Sequence, residues 1–263
     1  MDAIRKRFRG CLLGGAAGAM LGQAGANGDA GWMTLATAEG LLLGWDDSDE
    51  LGSACLVQSV RQACLRRAGP AAGDALASAA PVGLFMWRPD GAFSIRPAFD
   101  LAAELAASAD DQPGPRLGAG ALAAMVAALA DGISLPGALA IARHLLARYP
   151  DHEPVLVALN RAESYARAGI DPDQATRELG ASAPGNALAI AAYGALVSGS
   201  FAAGLTLVAR RHGGADAAAA VAGQLLGALY GVDAIPAHWL AQMEHRDPLT
   251  ATADRLATYW RNS

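Results

Sequence analysis

The stretch His212-Gly213-Gly214-Ala215-Asp216-Ala217-Ala218-Ala219-Ala220-Val221-Ala222-Gly223, running on through Gln224-Leu225-Leu226-Gly227-Ala228-Leu229-Tyr230-Gly231, decides how this chain reads. It opens on a glycine pair, passes a single acidic residue, Asp216, and becomes a small-residue helix that stops at Gly231. Glycines at the entry let backbone approach an anion or a metal, and a carboxylate in the first helical turn is favoured by the helix dipole. The segment has the outline of an acidic metal-binding turn from which most oxygen ligands are gone. Taken alone, Asp216 reads as an ordinary acidic residue at a helix start.

Outward from that helix the same composition continues. Of 263 residues 53% are hydrophobic and 17% charged, 31 are glycine, and alanine is the commonest residue. Val/Ile runs of strand length are nearly absent, so local propensity points to an all-α fold of close-packed helices. The chain is long enough to bury a large core, and the expectation is one domain over residues 1–263. Helical patterns run over Ile4–Gln23, Trp32–Leu43, Asp49–Ala68, Pro97–Ala107, Leu117–Ala130, Leu135–Tyr149, Glu153–Ala168, Pro172–Leu179, Asn186–Val197, Phe201–Arg211, Asp216–Tyr230 and Asp247–Trp260. Gly44, Gly69, Gly132, Gly169 and Gly231 sit where helices are expected to end, and Ser134-Leu135-Pro136 and Asp171-Pro172 carry start chemistry.

Several function classes are disfavoured. The net charge is −5 and the 20 basic residues, of which only Lys6 is lysine, are scattered, so there is no footprint for nucleic acid. Ala187 to Ala209 is uncharged and long enough to span a bilayer, but Ser198-Gly199-Ser200 breaks it, and two buried helices are expected instead of a membrane segment. Cys11, Cys55 and Cys64 lack metal-ligand or redox-motif spacing and read as core residues in a reducing, cytoplasmic compartment. The basic then apolar N-terminus is interrupted by Gly14, Gly15, Gly18 and Gly22 and does not read as a signal peptide. The acidic run Asp46-Asp47-Ser48-Asp49-Glu50 reads as a solvated helix start.

The order of landmarks resembles the ADP-ribosylglycohydrolase family, which includes the dinitrogenase-reductase-activating glycohydrolases. The C-terminal stretch above, with Ile235-Pro236 and Trp239-Leu240 after it, is similar to the family's G-D-S-D-[ST] turn, its helix ending G-A-x-Y-G and its I-P-x-x-W. Arg7-Phe8-Arg9-Gly10-Cys11-Leu12-Leu13-Gly14 and Gly18-Ala19-Met20-Leu21-Gly22 resemble the opening helix that closes with G-D-A-L-G. Ala80-Pro81-Val82-Gly83-Leu84 resembles A-P-[LI]-G-L, and Leu117-Gly118-Ala119-Gly120-Ala121 the helix that follows a T-H-x-H-P loop. The resemblance implies an all-α, mostly orthogonal helical bundle with a cleft that in relatives holds two magnesium ions and an ADP-ribosyl group.

The departures fall on the ligands. Gly28-Asp29-Ala30-Gly31 stands on the family's T-D-D-T and keeps only Asp29. The C-terminal aspartates and hydroxyl fall on Gly214, Asp216 and Ala217, leaving Asp216. Ala109-Asp110-Asp111-Gln112-Pro113 lacks both histidines of T-H-x-H-P, and Ala19 replaces the aspartate of G-D-A-L-G. Ser182, Gly185 and Asn186 stand near Gly180, where relatives place a tryptophan and glutamates. Magnesium takes about six oxygens in near-octahedral geometry, and bridging carboxylates hold a pair of ions roughly 3.5–4 Å apart. Asp29 and Asp216 are therefore remnant metal positions for at most one weakly held magnesium, and no cofactor is expected; they are also candidate catalytic residues, with helix capping as the alternative role.

The expected ligand cleft comprises Asn27, Gly28, Trp32, Asp110, Asp111, Gln112, Asn186, His212, Gly213 and Gly214. Three readings stay open. The leading one is a member of the fold that has lost dinuclear hydrolysis and binds an ADP-ribose-like molecule or a protein partner. The second is an active ADP-ribosyl hydrolase with a one-metal site or a metal-free pair of carboxylates about 5–9 Å apart, drawing on Asp110 or Asp111. The third is an immunity or regulatory protein that uses the old cleft surface without binding a ligand.

Overall fold

The computed structural model describes residues 2–22, 29–46, 54–68, 76, 78–89, 95–180, 186–210 and 217–262. Among these the chain is all-α, with fourteen α-helices, two 3-10 turns and no strand. The first half comprises α1 (Asp2–Gly22), α2 (Asp29–Asp46), α3 (Ala54–Ala68), α4 (Ala80–Met86), α5 (Ile95–Ala107), α6 (Pro113–Ala130) and α7 (Leu135–Leu146). The second comprises α8 (Glu153–Ala168), α9 (Pro172–Gly180), α10 (Asn186–Val197), α11 (Phe201–Ala209), α12 (Ala217–Tyr230), α13 (Ala237–Gln242) and α14 (Arg246–Leu256). The 3-10 turns are Val232–Ala234 and Tyr259–Asn262.

Alanine and glycine explain how so many helices fit round one core. Every residue of α6 from Leu117 to Ala130 is buried, and the middle of α10 and nearly all of α12 are buried as well. Helices that are apolar all round belong in the interior, and small side chains let their axes come close. The closest approach is between α1 and α12, where Gly10 faces Gly227, Gly14 faces Gly223 and Gly18 faces Ala219. A Cβ added to any of these glycines would overlap a carbonyl oxygen of the facing helix. Residue numbers rise along α1 as they fall along α12, so the two helices are antiparallel.

That pairing fixes the sense of the other core helices. Tyr230 at the end of α12 donates from its hydroxyl to the Ser198 carbonyl just past α10, at 3.2 Å, so α10 and α12 finish together. A Cβ on Gly31, near the start of α2, would meet Ala16 of α1 at 3.8 Å. At the other end Trp45 of α2 packs edge-on against Phe85, and Phe8 of α1 against Trp87. Thus α2 and α12 begin where α1 finishes, and α10 begins toward the same end of the bundle. The Arg7 guanidinium donates to the Ala130 carbonyl at 3.1 Å, so α6 ends beside the start of α1 and runs in the same sense as α12.

Several boundaries differ from the sequence expectation. The helix expected from Leu117 starts at Pro113, because prolines in the first turn lack only an N–H that has no intrahelical acceptor there. Gly44, expected to end a helix, lies inside α2, where a Cβ would meet Leu56 and Ser59 of α3 at 3.1 Å; its smallness serves packing. Gly132, Gly169 and Gly231 do have positive φ, while Gly69 lies outside the described residues. The uncharged run divides as expected: Ser200 caps α11 by accepting from the Ala203 N–H at 3.3 Å. Among the described residues no helix is long and apolar enough to cross a membrane.

Candidate functional site

The starts of α2 and α12 lie beside the end of α1, and α10, which runs beside α12 in the same sense, begins toward the same end of the bundle. Each start carries N–H groups without intrahelical acceptors and the positive end of a dipole, so this end of the bundle suits an anion. Behind it lies a buried polar pair. Gln224 on α12 has no solvent exposure and donates from Nε2 to the Thr34 hydroxyl of α2, itself 2% exposed, at 3.5 Å. Gly15 of α1 makes room for this amide, since a Cβ there would stand 2.8 Å from Gln224 Cγ. The sequence expectation missed this pair, although a lone glutamine in an otherwise apolar helix was the signal for it.

The sequence-derived candidates divide into groups. Asn27, Gly28, His212, Gly213, Gly214 and Asp216, with the side chain of Asp29, lie outside the described residues. In the chain Asp29 opens α2, and Asp216 immediately precedes Ala217, the first residue of α12. Asn186 opens α10 and donates from Nδ2 to the Gly180 carbonyl at 3.1 Å, while its buried Oδ1 has no hydrogen-bond partner among the described residues. Asp110 is exposed and closes a local turn, accepting from the Gln112 N–H at 3.0 Å. Asp111 is 82% exposed, with Arg116 3.9 Å away. Gln112 stands at the cap position of α6 and does not cap it with its side chain.

Trp32, half-buried in the first turns of α2, is gripped by two residues the sequence expectation did not connect with it. The His245 ring from the start of α14 lies 3.7 Å from its ring centroid at 42°, and the Arg67 guanidinium of α3 sits 4.8 Å from the indole. Arg67 is itself held by both carboxylate oxygens of Glu39, at 2.6 and 2.9 Å. Of the cysteines, Cys11 and Cys64 show no reactive setting: burial pushes the Cys11 thiol well up, and the half-buried Cys64 thiol is also raised, chiefly by burial, while the side chain of Cys55 lies outside the described residues.

The comparisons with known proteins agree with this architecture. The family model described as ADP-ribosylglycohydrolase matches residues 1–263. The chain belongs to the ADP-ribosylglycohydrolase family. A solved "ADP-ribosylglycohydrolase-related protein complex" is 21% identical over 98% of this chain and 99% of its own, with a TM-score of 0.65, which shows the shared fold. No curated protein matches the chain.

The donor set for the two magnesium ions that the family resemblance implies can be tested against these residues. Ala19, at the station where relatives carry an aspartate, is 8% exposed and packs on Ala220, which is 2% exposed. That contact is apolar. With glycine at 28 and 214 and alanine at 217, the stations retain two carboxylates, Asp29 and Asp216. Among the described residues no three His, Cys, Asp or Glu side chains gather in a metal-binding group. This donor set does not fit a bridged pair of octahedral ions.

Proposed function

We propose that this member of the ADP-ribosylglycohydrolase family binds an ADP-ribose-like ligand at the end of the bundle where α2, α10 and α12 begin, and that it has lost dinuclear magnesium-dependent hydrolysis. The observation that carries the reading is the pairing of Ala19 with Ala220 at a former ligand station, beside the starts of α2 and α12, whose first-turn N–H groups have no intrahelical acceptor and suit a pyrophosphate. Anion recognition by backbone survives the loss of side-chain carboxylates, because the N–H donors belong to the fold. Water activation does not, since two aspartates cannot bridge two ions. The rival pair of carboxylates finds little support in Asp110 and Asp111, both exposed and engaged in local turn and surface contacts.

Calorimetric titration with ADP-ribose, beside a turnover assay on ADP-ribosyl-arginine with magnesium or manganese, tests both halves. The expected result is saturable binding without turnover. Robust metal-dependent turnover abolished by Asp216→Ala overturns the loss of hydrolysis, and absence of binding overturns the ligand.

A further inference from the structure

We propose that the indole of Trp32 is the stacking platform for the planar base of the bound ligand, and that His245 occupies this platform until the base displaces it. The proposal rests on the ADP-ribose-like reading above and names how the base end would be recognised. Trp32 lies three residues into α2, one of the three helix starts at the anion-suited end, so a base stacked there would be joined to phosphates near those N–H groups.

The two contacts on Trp32 are unequal. Arg67 is anchored by its two-oxygen pairing with Glu39, and a guanidinium on an indole is a favourable, durable contact. His245 is held far less firmly. It stands at the cap position of α14 without capping it through its side chain. Its nearest ionic partner, Glu244, is 3.9 Å away and itself 87% exposed. Among the described residues the imidazole makes no hydrogen bond, and its ring contact with Trp32 is tilted at 42°, between the offset-stacked and edge-on arrangements that aromatic pairs favour. The imidazole is nevertheless 14% exposed, so the chain keeps a five-membered nitrogen ring tucked against the tryptophan. A purine offers a larger face to the same indole, and bases stack on aromatic side chains without needing a particular hydrogen-bond pattern. Met243 to His245, the short link between α13 and α14, is the segment that has to move.

The inference gives opposite signs to two substitutions, which a merely structural role for the ring pair would not do. Affinity for ADP-ribose and for AMP is measured by calorimetry on the wild-type chain, Trp32→Ala, Trp32→Phe and His245→Ala, with circular dichroism and melting to establish that each is folded. Trp32→Ala is expected to weaken both ligands about tenfold, Trp32→Phe to recover part of the loss, and His245→Ala to tighten both several-fold by removing the competing ring. If ADP-ribose binds the wild-type chain but His245→Ala leaves affinity unchanged or lowers it, the displacement is overturned and the function reading stands. If ADP-ribose fails to bind any variant while AMP binds His245→Ala through Trp32, the base platform stands and the ADP-ribose reading falls. If neither ligand binds any variant, both fall. Should Trp32→Ala not fold, loss of affinity in Trp32→Phe beside a gain in His245→Ala still decides the matter.

Discussion

Gly14 of α1 and Gly223 of α12 press backbone on backbone, each leaving no space for a Cβ beside the other's carbonyl oxygen. Contact this close brings Cα–H groups against carbonyls and fixes the helix pair to which the candidate site is attached. Gly223→Ala should therefore lower stability by about 2–3 kcal/mol or more, because the obstacle is main chain and cannot rotate away. Gly199→Ala, at a position with nothing within 4 Å, should be nearly neutral. Urea denaturation of the two variants checks the contrast; equal midpoints would contradict the packing argument.

The same pair shows what could be read from the sequence. Gly10, Gly14 and Gly18 recur every four residues, as do Gly223, Gly227 and Gly231, so the small faces of both helices were visible, and with them the all-α class. Boundaries set by main-chain logic were less visible. Pro113-Gly114-Pro115 looks like a breaker and is a helix start, and α4, seven residues long, was too short for periodicity to separate from the Ala80-Pro81-Val82-Gly83-Leu84 landmark. At the candidate site, sequence singled out Trp32 and Asn186. It could not supply His245 and Arg67, because the first lies more than two hundred positions from Trp32 and the second on a different helix.

Ser200 separates two helices that would otherwise read as one uncharged run. Its hydroxyl satisfies one N–H of the first turn of α11, so Ser200→Ala should cost about 1 kcal/mol, and Ser200→Gly only a few tenths. Thermal melts of both variants measure the difference. Equal losses would mean that the hydroxyl does not act as a cap.

Tyr259 gives the chain an alkaline limit. Its hydroxyl donates to the Phe85 carbonyl and accepts from Arg88, its ring stacks on Phe85 at 4.6 Å, and burial pushes the phenol up to about 12. In the unfolded chain a tyrosine ionises near 10. Between these values the unfolded state has lost the proton and the folded state keeps it, so stability falls as pH rises from about 10 to 12, by on the order of 3 kcal/mol from this group. Below pH 10 both states are protonated and the group adds no pH dependence. Denaturation midpoints across this range should decline less steeply in Tyr259→Phe, and absorbance titration should show the loss of a late-ionising phenol.

Ala19 and Ala220 allow the lost ligand station to be challenged directly. Both are buried and they touch, so a carboxylate introduced as Ala19→Asp would be pressed against an apolar side chain and would lose most of its hydration, more than the nearby helix dipoles return. A buried polar group without a hydrogen bond costs about 1–3 kcal/mol, and a charged one more, unless a cation compensates it. The variant should be destabilised by at least about 2 kcal/mol at neutral pH and should recover part of that loss when the carboxyl is protonated at lower pH. Millimolar magnesium should not restore it, because one aspartate added to the two that the former ligand stations keep in sequence still falls short of the bridging ligands that two ions require. Melting the wild-type chain and Ala19→Asp with and without magnesium reads this out: a large magnesium-dependent gain in the variant would show that the cage needs only that one carboxylate to close.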